Sequence, residues 1–562
     1  MADWQPDVIV VGSGVGGSMA AYALGRAGVK VAVYEAGRHY DPEIETPMMN
    51  WDREAPLRAV GTPDKPFGYY DATVDGGWEV PGEPYTVGEG SKFMWWRSRM
   101  LGGRTNHWAR HVPRFGPLDF KPYSRDGRGV DWPIGYDDLK PWYDRAEMLM
   151  GVIGENIDLP NVPDSPAHVR QPPPVPRVPE LLLKAACDGM EIPCIAPPRA
   201  VITRPLNGRQ ACFYASPCDR GCSIGANFQA VTVLLAPALK TGNVRVTTDA
   251  MVAEVLTGKD GRANGICYVD KKSGEWREAR AKAVVLAASA CESARILLNS
   301  KGRSPDGLAN ASGQVGRNLT DTVGVGLGAQ IPALEGRPRY NEDGIYFAHV
   351  YMPWWLDNEH QHLGFPRGYH LEVWGDWSRH PQMSVGYYSN AFQGFGKGLR
   401  EHMRRSFGTT VGMAGRGEMI PNENCYCELD PAAKDRWGIP ALRFHWKWGE
   451  AELAQAEHMR TTMVSLLDRI GGKLLDPSDA KGPAKISAGG EMIHELGTAR
   501  MGASAKDSVV DSFGRAWDVP GLYLMDGSIM PSNPDKNPTL SIMALAWRGS
   551  AQLLRRSKRG EL

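Results

Sequence analysis

Two short stretches of this chain have residue types and spacings whose chemistry can be read directly. The first is Gly12-Ser13-Gly14-Val15-Gly16-Gly17. Gly12 permits a tight turn, Gly14 lets backbone approach a pyrophosphate, and Gly17 lets the following helix pack closely on a sheet. The free N–H groups and the dipole at that helix start favour phosphate. Glu35, 18 residues after Gly17, is spaced to accept hydrogen bonds from the hydroxyls of an adenosine ribose. A glycine turn that only joins strand to helix would leave Glu35 unexplained. The motif predicts a bound dinucleotide and does not separate FAD from NAD. The second stretch places Cys212, Cys218 and Cys222 within eleven residues, and thiolates at this density suit a soft metal centre. Zinc would want a fourth ligand, which Cys187, Cys194 or a distant histidine would have to supply. A disulfide and unliganded thiols are the other readings. Cys425 and Cys427, two positions apart, would share one face of a strand and are read as packing residues.

The phosphate turn needs a strand before it and a helix after it. Asp7 to Val11 is apolar and β-branched, an alanine-rich helical stretch runs to about Ala27, and Val29 to Tyr34 forms a second strand that ends at Glu35. Further pieces lie far away: Ala283 to Ala288 is a buried-strand run followed by a helix from Ala294 to Leu298, and Leu522 to Met525 is a strand ending in Asp526-Gly527-Ser528. Such pieces predict an α/β chain with a discontinuous Rossmann-like nucleotide domain from residues 1–45, 85–150, 200–300 and 480–562. The intervening 46–84, 151–199 and 301–479 would form a substrate-binding, capping domain on a mostly antiparallel sheet. Within it Trp354, Trp355, Trp374 and Trp377 could stack on sugar rings or serve as core and interface aromatics. Glu418, Asn422 and Asn424 are polar candidates for sugar contacts or solvent-facing loop residues.

Length and composition bound these readings. The 562 residues exceed what one core usually supports, and 64 basic residues offset 64 acidic ones, so nothing points to nucleic acid. Arg555-Arg556-Ser557-Lys558-Arg559 reads as a solvated tail. Apolar runs fall short of the roughly 18 to 20 residues of a membrane helix, and Met1 to Asp7 lacks the regions of a signal peptide. The chain is expected neither to span a membrane nor to export itself. Nine cysteines, an odd number, do not suit a pure disulfide framework.

Three further segments occur in a telling order: Arg99-Met100-Leu101-Gly102-Gly103-Arg104-Thr105-Asn106-His107-Trp108; His494-Glu495-Leu496-Gly497-Thr498-Ala499-Arg500-Met501-Gly502; and Asp526-Gly527-Ser528 followed by Asn537-Pro538-Thr539. With the N-terminal motif, they resemble the signatures of the glucose-methanol-choline (GMC) oxidoreductases. The resemblance covers both termini and the middle flavin segments, while the capping region matches loosely. It implies FAD, held by Gly12, Gly14, Gly17, Glu35, Arg99, Gly102, Gly103, Asn106, His107, Asp526 and Gly527. It also implies a catalytic pair, His494 and Asn537. Oxidising a carbinol requires a base for the O–H proton, and neutral imidazole has a suitable pKa. Asn537 would hydrogen-bond the substrate oxygen and orient it. His107 resembles the histidine that carries covalent FAD in pyranose 2-oxidases. Related bacterial sugar dehydrogenases have the same Gly-Gly-x-x-x-His-Trp pattern without that bond, so His107 either bonds FAD or packs beside its ring. A yellow pellet after acid precipitation distinguishes the two.

The cysteine segment resembles the iron-sulfur segment in catalytic subunits of bacterial flavin dehydrogenases acting on glucose, fructose and glucosides, where three cysteines hold a [3Fe-4S] cluster. Ser223 departs from it, since proline is frequent there. The resemblance implies a dehydrogenase that passes electrons outward, with oxidation at C3 of a sugar or glucoside favoured, as in glucoside 3-dehydrogenases. It implies company as well: a small subunit carrying a twin-arginine signal and a cytochrome c acceptor, hence a periplasmic enzyme exported with its partner. A cytoplasmic enzyme with another acceptor is the alternative. An oxygen-using sugar oxidase and a non-catalytic flavin electron-transfer module are the competing functions; the presence of both His494 and Asn537 argues against the second.

Overall fold

Val8–Val11 is an apolar run buried on every residue, as a strand covered on both faces must be. In the computed structural model it is the centre of a five-stranded sheet, ordered Leu522–Leu524, Ala283–Leu286, Val8–Val11, Val31–Tyr34 and Val244–Thr247. All four pairings are parallel. The structure describes residues 4–46, 54, 56–59, 76–214, 218, 221–302, 304–337, 345, 347–353, 363–375, 394–406 and 408–561. Strands more than 200 residues apart in sequence thus lie side by side, as the scattered apolar runs predict. The helix Val15–Arg26 follows the glycine turn and packs on the C-terminal helix Thr539–Lys558, where the Tyr22 and Trp547 rings meet edge to face at 6.4 Å. The helix expected from Ala294 begins earlier, at Ala290, straight after Ser289 turns the chain at φ 86°.

A second five-stranded sheet is antiparallel throughout, ordered Val350–Met352, Tyr369–Gly375, Thr410–Gly417, Val323–Gln330 and Lys473–Leu474. The helix Glu450–Arg469 covers its back. Gly415 and Gly417 admit that helix: a Cβ would stand 2.4 Å from Met459 Sδ at Gly415 and 1.9 Å from Gln455 Oε1 at Gly417. Side chains alternate along a strand, so Ala414 and Arg416 face the other way, towards the nucleotide-binding half. This architecture is the expected α/β fold with a parallel nucleotide sheet and a mostly antiparallel second sheet.

Several expectations for the second sheet change. Trp374 stacks on Phe347 at 4.5 Å, whereas Trp354, Trp355 and Trp377 lie outside the described residues. Glu418 is neither a sugar contact nor solvent-facing: it is buried and accepts from Arg367 Nη1 at 2.7 Å and Arg125 Nη2 at 3.0 Å. Asn422 Oδ1 accepts the Asn424 N–H at 3.0 Å in a local turn. Cys425 and Cys427 pack in the core. Cys187 and Cys194 are buried in the main core, whereas Cys212 and Cys222 pack in smaller clusters. Among the described residues no helix is long and apolar enough to cross a membrane.

Candidate active site

A cavity of about 510 Å³ runs from the glycine turn to the front of the antiparallel sheet. At its nucleotide end, Gly12 turns at φ +93°, where a Cβ would strike the Ala287 carbonyl oxygen at 2.4 Å. A Cβ on Gly17 would lie 2.0 Å from the Gly12 carbonyl oxygen, so Gly17 sets the closeness of helix to turn. Gly14 lines the cavity, and a Cβ there meets nothing within 4 Å. That open backbone is the approach a pyrophosphate needs. Glu35 lines the cavity and is tied in place: its carboxylate accepts from Ser13 N at 2.9 Å, Ser13 Oγ at 2.6 Å and Gly37 N at 2.7 Å. Ser13 Oγ also accepts the Gly102 N–H at 2.8 Å and so joins the two flavin-type segments. The one sequence signal for Ser13 is its place inside the glycine motif.

The other predicted residues divide into wall and support. Arg99, Gly103, His107, Asp526 and Gly527 line the cavity. Arg99 is held by Glu83 at 2.6 Å and Glu292 at 3.1 Å, and Asp526 accepts from Ser293 Oγ at 2.5 Å and Ser528 N at 2.9 Å. His107 Nε2 pairs with Ser98 Oγ at 2.8 Å, and burial, with Arg104 and Arg110 nearby, pushes its pKa down to about 3. Gly17, Gly102 and Asn106 stand behind the wall. Asn106 is fully buried and donates to the Leu101 carbonyl at 2.9 Å, which shapes the turn that presents Gly103.

At the far end, the structure brings His494 and Asn537 together: Asn537 Nδ2 lies 3.4 Å from His494 Nε2. His494 Nδ1 pairs with Thr322 Oγ1 at 2.9 Å. With Nδ1–H donating to Thr322, the Nε2 lone pair faces Asn537 and the cavity. Burial, then the Arg416 charge, pushes the His494 pKa down to about 3, so the ring is neutral near pH 7. Asp321 holds the backbone here by accepting from Thr322 N, Met492 N and His494 N at 2.9, 3.2 and 3.0 Å. Burial and the nearby Glu495 charge raise its own pKa to about 7. Arg104 clamps the same loop through Glu495 Oε2 at 2.5 Å and the Ile493 carbonyl at 3.2 Å. A neutral acceptor nitrogen beside an amide, at the end of a nucleotide cavity, can take a proton from a hydroxyl held between them.

Comparison with known proteins agrees with this arrangement. GMC oxidoreductase family models match residues 7–323 and 421–546. The chain belongs to the GMC oxidoreductases. A 2-methyl-1,2-propanediol dehydrogenase of Mycolicibacterium austroafricanum is 31% identical over 98% of this chain and 96% of its own. The fructose dehydrogenase large subunit of Gluconobacter japonicus is 28% identical over 99% of this chain and 98% of its own. The pyridoxine 4-oxidase from Mesorbium loti has the same fold, with a TM-score of 0.63, 18% identity, and coverage of 98% of this chain and 99% of that one. As a member of this family the protein is an FAD-dependent oxidoreductase of CH–OH donors, and the open backbone at Gly14 with the tethered Glu35 fits that cofactor.

The GMC signature leaves the cysteine segment unaccounted for. Cys218 and Cys222 are buried and Cys212 is half-buried, all as free thiols. Burial, then the adjacent Cys218, pushes the Cys212 pKa up to about 12. Backbone N–H groups point at two of the sulfurs, Tyr214 N at 3.3 Å from Cys212 Sγ and Asn227 N at 3.5 Å from Cys222 Sγ. Such donors stabilise sulfur that carries charge. Among the described residues, a different set of ligand-type atoms converges within 4.8 Å: His111, His370 and Glu372. Residue spacing gives no sign of this set, because two antiparallel-sheet residues meet one from the flavin segment only in the folded chain.

Proposed function

We propose that this GMC oxidoreductase is a dehydrogenase that oxidises a secondary hydroxyl of a sugar or glucoside to a ketone, C3 favoured. The observation that carries the reading is the neutral His494 ring, with Nδ1 bonded to Thr322 and Nε2 facing Asn537 across the cavity. FAD, when bound, supplies the acceptor for the carbinol hydride. His494 Nε2 takes the hydroxyl proton, and Asn537 donates to the substrate oxygen and fixes its orientation. Among the described residues Asn537 Oδ1 is buried without a hydrogen-bond partner, so it can accept from a second hydroxyl of the substrate while Nδ2 donates to the reacting oxygen. Related chains named for a diol and for fructose support a polyhydroxylated substrate.

Cys212, Cys218 and Cys222 would hold an iron-sulfur cluster, [3Fe-4S] on this reading, which would supply one-electron transfer to an external acceptor. The N–H groups aimed at Cys212 and Cys222 favour that reading over unliganded thiols. The relative described as a large subunit supports a partnered enzyme. The partner on this reading is a small subunit with a twin-arginine signal, the acceptor a cytochrome c, and the compartment the periplasm, reached by co-export. Anaerobic absorbance spectra of the purified protein with a sugar panel, together with iron analysis, test the whole reading. Flavin bleaching by a glucoside and stoichiometric iron are expected. Iron-free protein that makes hydrogen peroxide would instead be an oxidase.

A further inference from the structure

The strands Tyr369–Gly375 and Thr410–Gly417 pair with His370 directly opposite Arg416. Alternation then places His370, Glu372 and Arg416 on one face. That face is the one turned away from the helix Glu450–Arg469, and Glu372 and Arg416 line the cavity together with His494 and Asn537. The two charged residues differ in what they have left to offer. Glu372, 2% exposed in its side chain, is occupied: His111 Nδ1 is 2.6 Å away, His370 Nε2 3.7 Å and Arg416 Nε 3.6 Å. Arg416 is 16% exposed and lines the cavity, and among the described residues its Nη1 reaches only the Gly415 carbonyl of its own strand, at 3.2 Å. Its 3.6 Å approach to Glu372 is longer than a hydrogen bond. A planar guanidinium steadied from behind by a carboxylate presents its remaining N–H groups in a fixed plane.

We propose that Arg416 is a specificity-determining residue whose guanidinium donates to a second oxygen of the substrate, while His494 and Asn537 handle the carbinol that reacts. This rests on the reading of those two residues as the catalytic pair. A monofunctional alcohol leaves the guanidinium desolvated and unpaired, and a site built to bond a hydroxyl rejects the analogue that lacks it. Glu372 is the positioning residue behind Arg416, and His111 and His370 complete its shell.

The test is a substrate–mutant cycle on the FAD-loaded enzyme, read as the anaerobic rate of flavin bleaching by methyl α-glucoside and its monodeoxy analogues. In the wild type, one deoxygenation should lower kcat/KM by about 10²-fold or more. Arg416→Ala should lower the parent rate by a similar factor, and the same deoxygenation should then cost that variant less than about threefold. Losses that simply multiply would overturn the proposal. Arg416→Lys, which keeps the charge but not the fork, is measured in the same cycle; full wild-type discrimination in it would overturn the role of the planar guanidinium. Flavin absorbance and melting temperature report on folding in each variant. Bleaching by 2-methyl-1,2-propanediol but by no sugar would sink the sugar reading alone. The cycle is then run with 2-methyl-1-propanol as the deoxygenated partner, and its coupling decides the role of Arg416 by itself.

Discussion

His494 offers its lone pair at Nε2 because Nδ1 is committed to Thr322, and it stays neutral because burial and Arg416 disfavour the imidazolium. His494→Ala should slow flavin reduction by substrate about 10² to 10⁴-fold with FAD still bound; unchanged reduction in stopped-flow absorbance would remove it from the mechanism. The sign of the pH dependence follows from the direction of the shift. A histidine whose pKa falls from 6.5 to about 3 binds its proton only in strong acid. The base therefore remains competent as the pH drops through the range where a solvated histidine would charge. With saturating substrate, the His494 ring should add no acidic limb between about pH 8 and about pH 5, so any limb near pH 7 should come from Asp321, which holds the His494 backbone, and should vanish in Asp321→Asn. An acidic limb centred near 6.5 that persists in Asp321→Asn would show that the ring titrates as it does in water.

The elements impose separate demands on neighbouring glycines. Gly17 is needed by the fold, since a Cβ would press on the Gly12 carbonyl oxygen at 2.0 Å, whereas the open backbone at Gly14 is needed by the ligand. Gly17→Ala should destabilise the apoprotein by about 1 to 3 kcal/mol and lower its melting temperature as well as its FAD content. Gly14→Ala should leave the apoprotein melting temperature in place and weaken FAD binding about tenfold or more, since the added methyl stands where phosphate must approach. Calorimetry of the apoproteins and FAD titration separate the two; equal loss of stability in both variants would show that Gly14 is structural. This division was legible in the sequence, because strand, turn, helix and acid follow one another within 28 residues from Val8 to Glu35. The start of the helix at Ala290 was not, because backbone geometry at Ser289 sets it.

For the whole molecule, the reductive and oxidative halves of the reaction should come apart. Replacing Cys212, Cys218 and Cys222 by serine should abolish iron content and turnover with a one-electron acceptor. Bleaching of the flavin by substrate should persist within about threefold, because the catalytic pair and the cysteine segment are built on different parts of the chain. Iron analysis and parallel half-reaction rates check this; full turnover in an iron-free triple variant would remove the relay. That the parallel sheet draws strands from distant parts of the chain could be anticipated. A strand buried on both faces is apolar throughout, so it stands out wherever it occurs, as Val8–Val11 and Ala283–Leu286 do.

The sequence by itself determined the family, the cofactor fold, the candidate pair His494 and Asn537, and the density of thiols at 212–222. Each of these is a local pattern or an ordered set of local patterns, and local geometry follows from neighbouring residue types. Only the tertiary structure decided that Glu418 is locked between Arg367 and Arg125, that Ser13 ties Glu35 to Gly102, and that Arg416 and Glu372 share the wall facing His494. Charged side chains are common, and which of them meet depends on strand register and on the face that glycines leave open to a helix. Those are long-range packing outcomes that residue type and spacing do not encode.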